Sequence, residues 1–395
     1  MNKKKIIVVQ RNYAVGIEAG DKVRTLNMAN SLVNLGYEVF LVGFFTRGLS
    51  LYNKEKKRLP RNMHSFLIFS LPTSFGLHKL AGWYQSFIIW LLVKLYKIDV
   101  IQAELSHAAV CAKLLPQIPL VTDFHSDLVP EFEMANMSKY RIKQAVKDNE
   151  WAIKRSSVII TVSKTLYRNL SEYGNIKKNF VLPCNFDTNL FGNTTFENRN
   201  VIKERLGIPL DKIVLCYSGG LHVWQCIDET IDLVIRLKSI NPNYFFCLFT
   251  NDDASKFKSK LDLLNGDYIV KGIKRVDMPK YLSVIDAGFV LRADSKVNTN
   301  ASPTKTSEYL AVGAMAIATP YSGDATELIK ESSCGFIISD LHPSDEEVMQ
   351  LNNTIVNYTL NYSSCSNFAK SYIFENRAWK KNEELLKSVY EYIFR

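Results

Sequence analysis

Short apolar runs alternate with longer amphipathic stretches along most of this chain. Runs of that kind suit parallel strands buried on both faces, and the stretches between them suit the connecting helices. The first run is 6–9. A loop with Gly16 and Gly20 follows, then a periodic helix over about 23–35 ended by Gly36, then a second run at 38–43. This opening predicts a β-α-β unit of a doubly wound sheet. Further strands are expected at 99–102, 119–125, 157–163 and 180–187. Residues 188–205, rich in Asn and Thr, read as a linker, after which the alternation restarts. Strands are expected at 213–217, 244–250, 268–270, 288–292, 314–318 and 335–338, and helices at 228–240, 255–264, 277–284 and 325–331. A last amphipathic helix covers 379–394.

The length of 395 residues agrees with two domains, because single cores rarely grow past ~250–300 residues. The expected boundaries are 1–187, 188–375 and a C-terminal segment 376–395. Composition is that of a soluble globular protein. Lys3, Lys4 and Lys5 precede an apolar run too short for a secretory signal. Seven scattered cysteines without C-x-x-C spacing read as reduced thiols, neither a disulfide framework nor a zinc site. Both features predict a cytoplasmic protein.

Charge changes the picture more. Residues 1–180 hold 26 Lys+Arg and 13 Asp+Glu, hence +13, while the remainder holds 23 and 26, hence −3. The first half therefore calls for an anionic partner, either a membrane surface or a phosphorylated acceptor. No helix-turn-helix, zinc-finger or RNP signature is present, so no nucleic acid partner is expected. Residues 54–61 form a basic loop. The stretch 80–96 that follows carries Trp83, Tyr84, Trp90 and Tyr96, with Lys79, Lys94 and Lys97 at its ends. Its uninterrupted apolar core, 87–93, is far below the ~20 residues of a spanning helix. It reads either as a buried domain helix or as a membrane-surface element.

The densest chemistry lies at 301–313, after the strand expected at 288–292. Ser302 is suited to cap a helix, Pro303 to its first turn and Gly313 to its end. The open N-terminus offers N–H groups and partial positive charge to phosphate. Lys305 adds a full charge, and Glu308 lies one turn on, within reach of a ribose. The pattern describes a nucleoside-diphosphate pocket.

Ser302-Pro303-x-Lys305-x-x-Glu308-Tyr309-x-Ala311-x-Gly313 resembles the donor-site helix of GT-B glycosyltransferases, most closely glycosyltransferase family 4. The resemblance implies an α/β fold of two Rossmann-like domains facing across a cleft, with the last helix returning to the first domain. It implies Lys305 on the donor phosphates and Glu308 on the ribose hydroxyls. It places Ala19 and Gly20 of the first loop close to donor or acceptor. His125, at the end of an expected strand, falls where the family often carries a histidine against the donor sugar, and His107 is a weaker candidate. Residues 217–228 occupy the place of the family's glycine-rich loop, with Gly220 for its usual Arg and Gln225 for its usual Lys. Gly219 and Gly220 retain backbone N–H groups for phosphate. Arg292 is the candidate to replace the missing charge, and Trp224 stacks on a base or sugar, or packs. Asn300 stands where the family's E-x7-E pair has its first Glu. Asn300, Ala301, Ser302, Pro303 and Thr304 complete the expected donor loop.

No D-x-D suited to a metal-dependent transferase, no P-loop and no H-E-x-x-H is found. The resemblance implies a retaining, metal-independent transfer of a hexose from a nucleotide sugar, without a cofactor, the departing phosphate serving as base. The expected acceptor is a lipid-linked or growing surface glycan such as capsule, exopolysaccharide or lipopolysaccharide. The protein would sit peripherally on the inner face of the cell membrane. The alternatives are a nucleotide-sugar epimerase, and a degenerate transferase that binds partners as a scaffold.

Overall fold

The computed structural model describes residues 3–11, 13, 20–46, 48–71, 78–192 and 199–395. The chain forms two compact units, Met1–Pro183 with Asn382–Arg395, and Cys184–Lys381. The first holds seven strands: β1 Lys5–Gln10, β2 Glu38–Phe45, β3 His64–Phe69, β4 Val100–Glu104, β5 Leu120–Phe124, β6 Val158–Thr161 and β7 Asn179–Val181. They are all parallel, in the order β3-β2-β1-β4-β5-β6-β7. The second holds β8 Ile213–Ser218, β9 Tyr244–Phe249, β10 Tyr268–Lys271, β11 Ala287–Val290, β12 Met315–Ala318 and β13 Gly335–Ile337. These are also all parallel, in the order β10-β9-β8-β11-β12-β13. Strand order reverses between β1 and β4 in one sheet and between β8 and β11 in the other. Ligands of open α/β sheets bind beyond the C-terminal strand ends at such points.

The apolar runs become strands because helices cover both faces. Ile6, Ile7, Val8 and Val9 are wholly buried, as are Val214, Leu215 and Cys216. In the first unit the last helix, Trp379–Phe394, buries Leu386, Val389 and Tyr390. The Tyr390 hydroxyl donates to Gln102 Oε1 at 2.6 Å. Each apolar side chain so buried contributes roughly 1.5–3 kcal/mol. In the second unit, helix Thr304–Ala311 lies so close to β11 that a Cβ on Gly288 would stand 2.2 Å from the Tyr309 ring. Gly313 ends that helix at φ +84°, where a side chain would also strike Ser366.

Several expectations change. Strand β3 was not anticipated, although Phe66-Leu67-Ile68-Phe69 is a continuous apolar run; it is a half-exposed edge strand. The basic loop at 54–61 begins inside a helix, Leu49–Lys56, anchored by buried Glu55, which pairs with Lys22 and Arg58. The linker at 188–205 contains short helices, Thr188–Phe191 and Arg199–Leu206. The helix expected at 255–264 is broken into single turns around Lys258–Leu261. All seven cysteines are free. Among the described residues no helix is long and apolar enough to cross a membrane.

Candidate functional site

In the second unit the loop after β11 delivers the chain to helix Thr304–Ala311. Pro303 occupies the N-cap position, and among the described residues no side chain caps the helix. Its first-turn N–H groups therefore stay open, as an anion site requires. Ser302 does not cap, contrary to expectation. Its hydroxyl donates to Asp324 Oδ2 at 2.8 Å and accepts from the Cys184 N–H at 2.8 Å. Asp324 is in turn held by Arg377 at 2.7 Å, and its N–H donates to the Ala301 carbonyl at 3.1 Å. Gly323, at φ +64°, lets this clamp close, since a Cβ there would lie 2.1 Å from the Ala301 oxygen. The loop at Ala301 and Ser302 is thus held in place by these hydrogen bonds.

Lys305 is half-buried, its ammonium 4.1 Å from the centroid of the Tyr217 ring. It donates to the Tyr217 hydroxyl at 2.8 Å and to Gln225 Oε1 at 2.6 Å. Gln225, standing where the family has a cation, instead orients one. Gly219 adopts φ +129°, and a Cβ there would meet Lys305 Cε at 2.8 Å, so only glycine admits the lysine. Its N–H donates to the Phe249 carbonyl at 2.9 Å. That corrects the expectation of two free loop N–H groups, leaving that of Gly220. The loop is held by Asp252, which accepts from the Leu221 N–H at 2.7 Å.

Arg292 is buried, not a surface residue, and its Nη1 donates to the neighbouring Leu291 carbonyl at 3.1 Å. Among the described residues neither Arg292 nor Lys305 has a carboxylate within ion-pair distance. Loss of hydration, and then the nearby Arg292, pull the Lys305 ammonium well below its ordinary pKa; burial also lowers Arg292. The Glu308 carboxylate, beyond ion-pair distance, acts on Lys305 in the opposite sense. Two neighbouring cations with no carboxylate within ion-pair distance among the described residues favour an external anion.

The other donor-loop candidates divide. Glu308 is buried, with Oε1 3.5 Å from Arg275 Nη1, so Arg275 joins the cluster without having been anticipated. Asn300 is buried at the end of helix Lys296–Thr299. The N–H groups of Asn300 and Ala301 donate to the carbonyls of Lys296 and Asn298. They are therefore not available to a sugar or phosphate. Thr304 begins the open helical turn. Trp224 stacks on His222 at 4.6 Å and is 38% exposed, which leaves surface for a ligand.

In the first unit Gly20 opens helix Gly20–Asn34; Gly16 and Ala19 lie outside the described residues. His125 lies just beyond β5, its Nδ1 3.7 Å from Glu104 Oε2 at the end of β4. Glu104 Oε1 accepts from Gln102 at 3.4 Å. Burial and neighbouring Asp123 raise the Glu104 carboxyl well above the usual carboxylate range. Glu104, Asp123 and His125 bring metal-ligand atoms within 4.8 Å of one another, but Arg24 already binds both Asp123 oxygens at 2.7 and 2.8 Å. His107 is lowered to about 3, first by loss of hydration and then by Arg11 and His125.

These two sheets, with their strand orders and polar strand ends, define a GT-B-type α/β protein. Comparison with known proteins agrees. A family model described as Glycosyltransferase Family 4 matches residues 20–190. The uncharacterized glycosyltransferase MJ1069 of Methanocaldococcus jannaschii is 26% identical over 187 residues, 46% of this chain and 45% of that protein. The match thus spans less than half of that relative's length. Among solved structures, sucrose-phosphate synthase from Thermosynechococcus elongatus superposes with a TM-score of 0.76 at 12% identity, covering 99% of both chains. Anabaena Alr3699/HepE in complex with UDP-glucose gives 0.73 at 15%, covering 98% of this chain and 99% of that one. WaaG, a glycosyltransferase involved in lipopolysaccharide biosynthesis, gives 0.70 at 12%, covering 96% and 99%. At these identities the structures establish the GT-B fold.

Proposed function

We propose that the protein is a glycosyltransferase that moves a hexose from a nucleoside-diphosphate sugar to a lipid-linked or growing surface glycan. The observation that carries the reading is the pair Lys305 and Arg292, which among the described residues stand beside a helix N-terminus that no side chain caps and have no carboxylate within ion-pair distance. A diphosphate supplies these two cations with the close counter-charge they lack among the described residues. As the glycosidic bond to the donor breaks, negative charge grows on the leaving phosphate. Preorganised cations and N–H groups stabilise that charge most where water is scarce. Glu308 is placed to accept from ribose hydroxyls, with Arg275 holding its carboxylate. His125 would meet the sugar. Transfer proceeds with retention, and these cations do the work that a metal does elsewhere. The family match over 20–190 and the nucleotide-sugar complexes of HepE support this choice of donor class. The protein acts peripherally at the cytoplasmic face of the membrane, where a lipid-linked acceptor is found.

The test is release of nucleoside diphosphate from UDP-, GDP- and ADP-hexoses, with extracted lipid-linked oligosaccharides as acceptors, with and without EDTA. Acceptor-dependent release that survives EDTA and gives a product of donor anomeric configuration is expected. An acceptor-independent isomer would identify an epimerase instead. Diphosphate binding without turnover of any donor would return the scaffold reading.

A further inference from the structure

Helix His78–Tyr96 buries Ala81, Gln85, Ile89 and Val93 against the first unit. Its other face is not polar. Leu80, Trp83, Phe87, Leu91 and Leu95 are exposed by 54, 63, 40, 44 and 65%. Their spacing of three and four residues puts them in one stripe, roughly 22 Å long at 1.5 Å per residue. Trp83 stacks on Phe87 at 5.9 Å, and Phe87 on Trp90 at 5.8 Å, so the rings are ordered before anything covers them. A contiguous apolar face of this size is unusual on a soluble surface and marks an interaction site.

The charge around it selects the partner. Exposed Lys94 and Lys97 stand at one end of the stripe. The helix packs against the turn Val110–Ala112, which also contacts helix Lys139–Arg155. That second helix exposes Lys139, Arg141, Lys143, Lys147 and Lys154, against one exposed acid, Glu150. A second copy of the chain, joined face to face, would set these like charges against each other. An anionic surface would not. The stripe is too short to span a bilayer but suits a helix lying in the interface, with aromatic rings at the headgroup level and lysines toward the phosphates.

We propose that this face of the first unit docks on an anionic lipid bilayer, the stripe entering the interface and the basic helix Lys139–Arg155 meeting the headgroups. Docking would carry the protein to a lipid-linked acceptor. That consequence rests on the transferase reading; the binding itself does not.

The experiment is co-sedimentation with phosphatidylcholine vesicles and with vesicles containing phosphatidylglycerol. It compares wild type, a Trp83→Ser/Phe87→Ser/Leu91→Ser variant and a Lys143→Glu/Lys147→Glu variant. Melting temperature and diphosphate-induced stabilisation are recorded for each, so that loss of fold, or of the donor site, is seen separately. Wild type should pellet with the anionic vesicles and weaken in high salt. The stripe variant should stay in solution while keeping its melting temperature. The charge variant should bind at least about tenfold more weakly, since each basic residue near such a surface adds substantially to attraction. Failure of wild type to pellet would overturn the proposal, as would binding indifferent to both variants. So would a dimer that depends on the stripe, seen by light scattering without vesicle binding.

Discussion

Each unit carries a buried arginine near the C-terminal ends of its strands, and the two are treated differently. Arg24 holds both oxygens of Asp123 and also donates to the Leu182 carbonyl. The Arg292 side chain, among the described residues, donates to the carbonyl beside it and has no carboxylate within ion-pair distance, with Lys305 as its charged neighbour. The first is neutralised within the fold and serves stability. On the proposed reading the second keeps its charge for a ligand from outside, as a binding site would. Without that contrast, both would pass as buried arginines.

The largest effect should come from breaking the neutralised side. Asp123→Ala leaves Arg24 buried without its counter-ion and should cost about 3–5 kcal/mol in urea denaturation. Lys305→Met and Arg292→Met should leave the empty protein as stable as wild type or more so; equal destabilisation at all three positions would erase the distinction. The same two variants should weaken nucleoside-diphosphate binding by roughly 10- to 150-fold in calorimetry, from about 1.5–3 kcal/mol per charge-assisted hydrogen bond.

Glu308→Gln sharpens the picture further. It should weaken nucleoside diphosphate by roughly tenfold, the loss of one charged hydrogen bond, and leave pyrophosphate unchanged. Equal loss for both ligands would remove the ribose from Glu308.

Proton linkage gives smaller, signed effects. The Lys305 ammonium titrates below its ordinary value because of burial and Arg292. In alkali the folded chain therefore sheds that proton before the unfolded chain does. Stability of the empty protein should rise with pH in that window, while diphosphate affinity falls as the positive charge is lost. Lys305→Arg should flatten the affinity profile. His107, at about 3, stays neutral in the fold. Below its ordinary value near 6.5 the unfolded state takes the proton, so stability should fall with acidification toward pH 3. His107→Gln should reduce that slope in thermal melts.

Much of the fold could be read in advance because strands buried on both faces write themselves as apolar runs, as at Ile6 to Val9 and Val214 to Tyr217. Strand β3 was missed although Phe66 to Phe69 is an apolar run of the same length; it directly follows the basic stretch 54–61, where no alternation was read. Lys305 and Glu308 were legible because they sit on one helix with glycine and proline markers. Their partners were not. Tyr217, Gln225 and Arg275 lie 88, 80 and 33 residues away from them. Sheet order, not local pattern, brings them together. Ser302 illustrates the opposite error: its local capping pattern was real, but Asp324, 22 residues on, takes the hydroxyl.

The most direct test of the central claim is thermal stabilisation by UDP, GDP, ADP and CMP, for wild type beside Lys305→Met. The account predicts that one nucleoside diphosphate, at 100 times its dissociation constant, stabilises wild type by about 2.7 kcal/mol. The variant should melt at or above the wild-type temperature when empty and gain far less from the same ligand. No stabilisation of wild type by any diphosphate, or an equal gain in the variant, would contradict the assignment of Lys305 and Arg292 to an external anion.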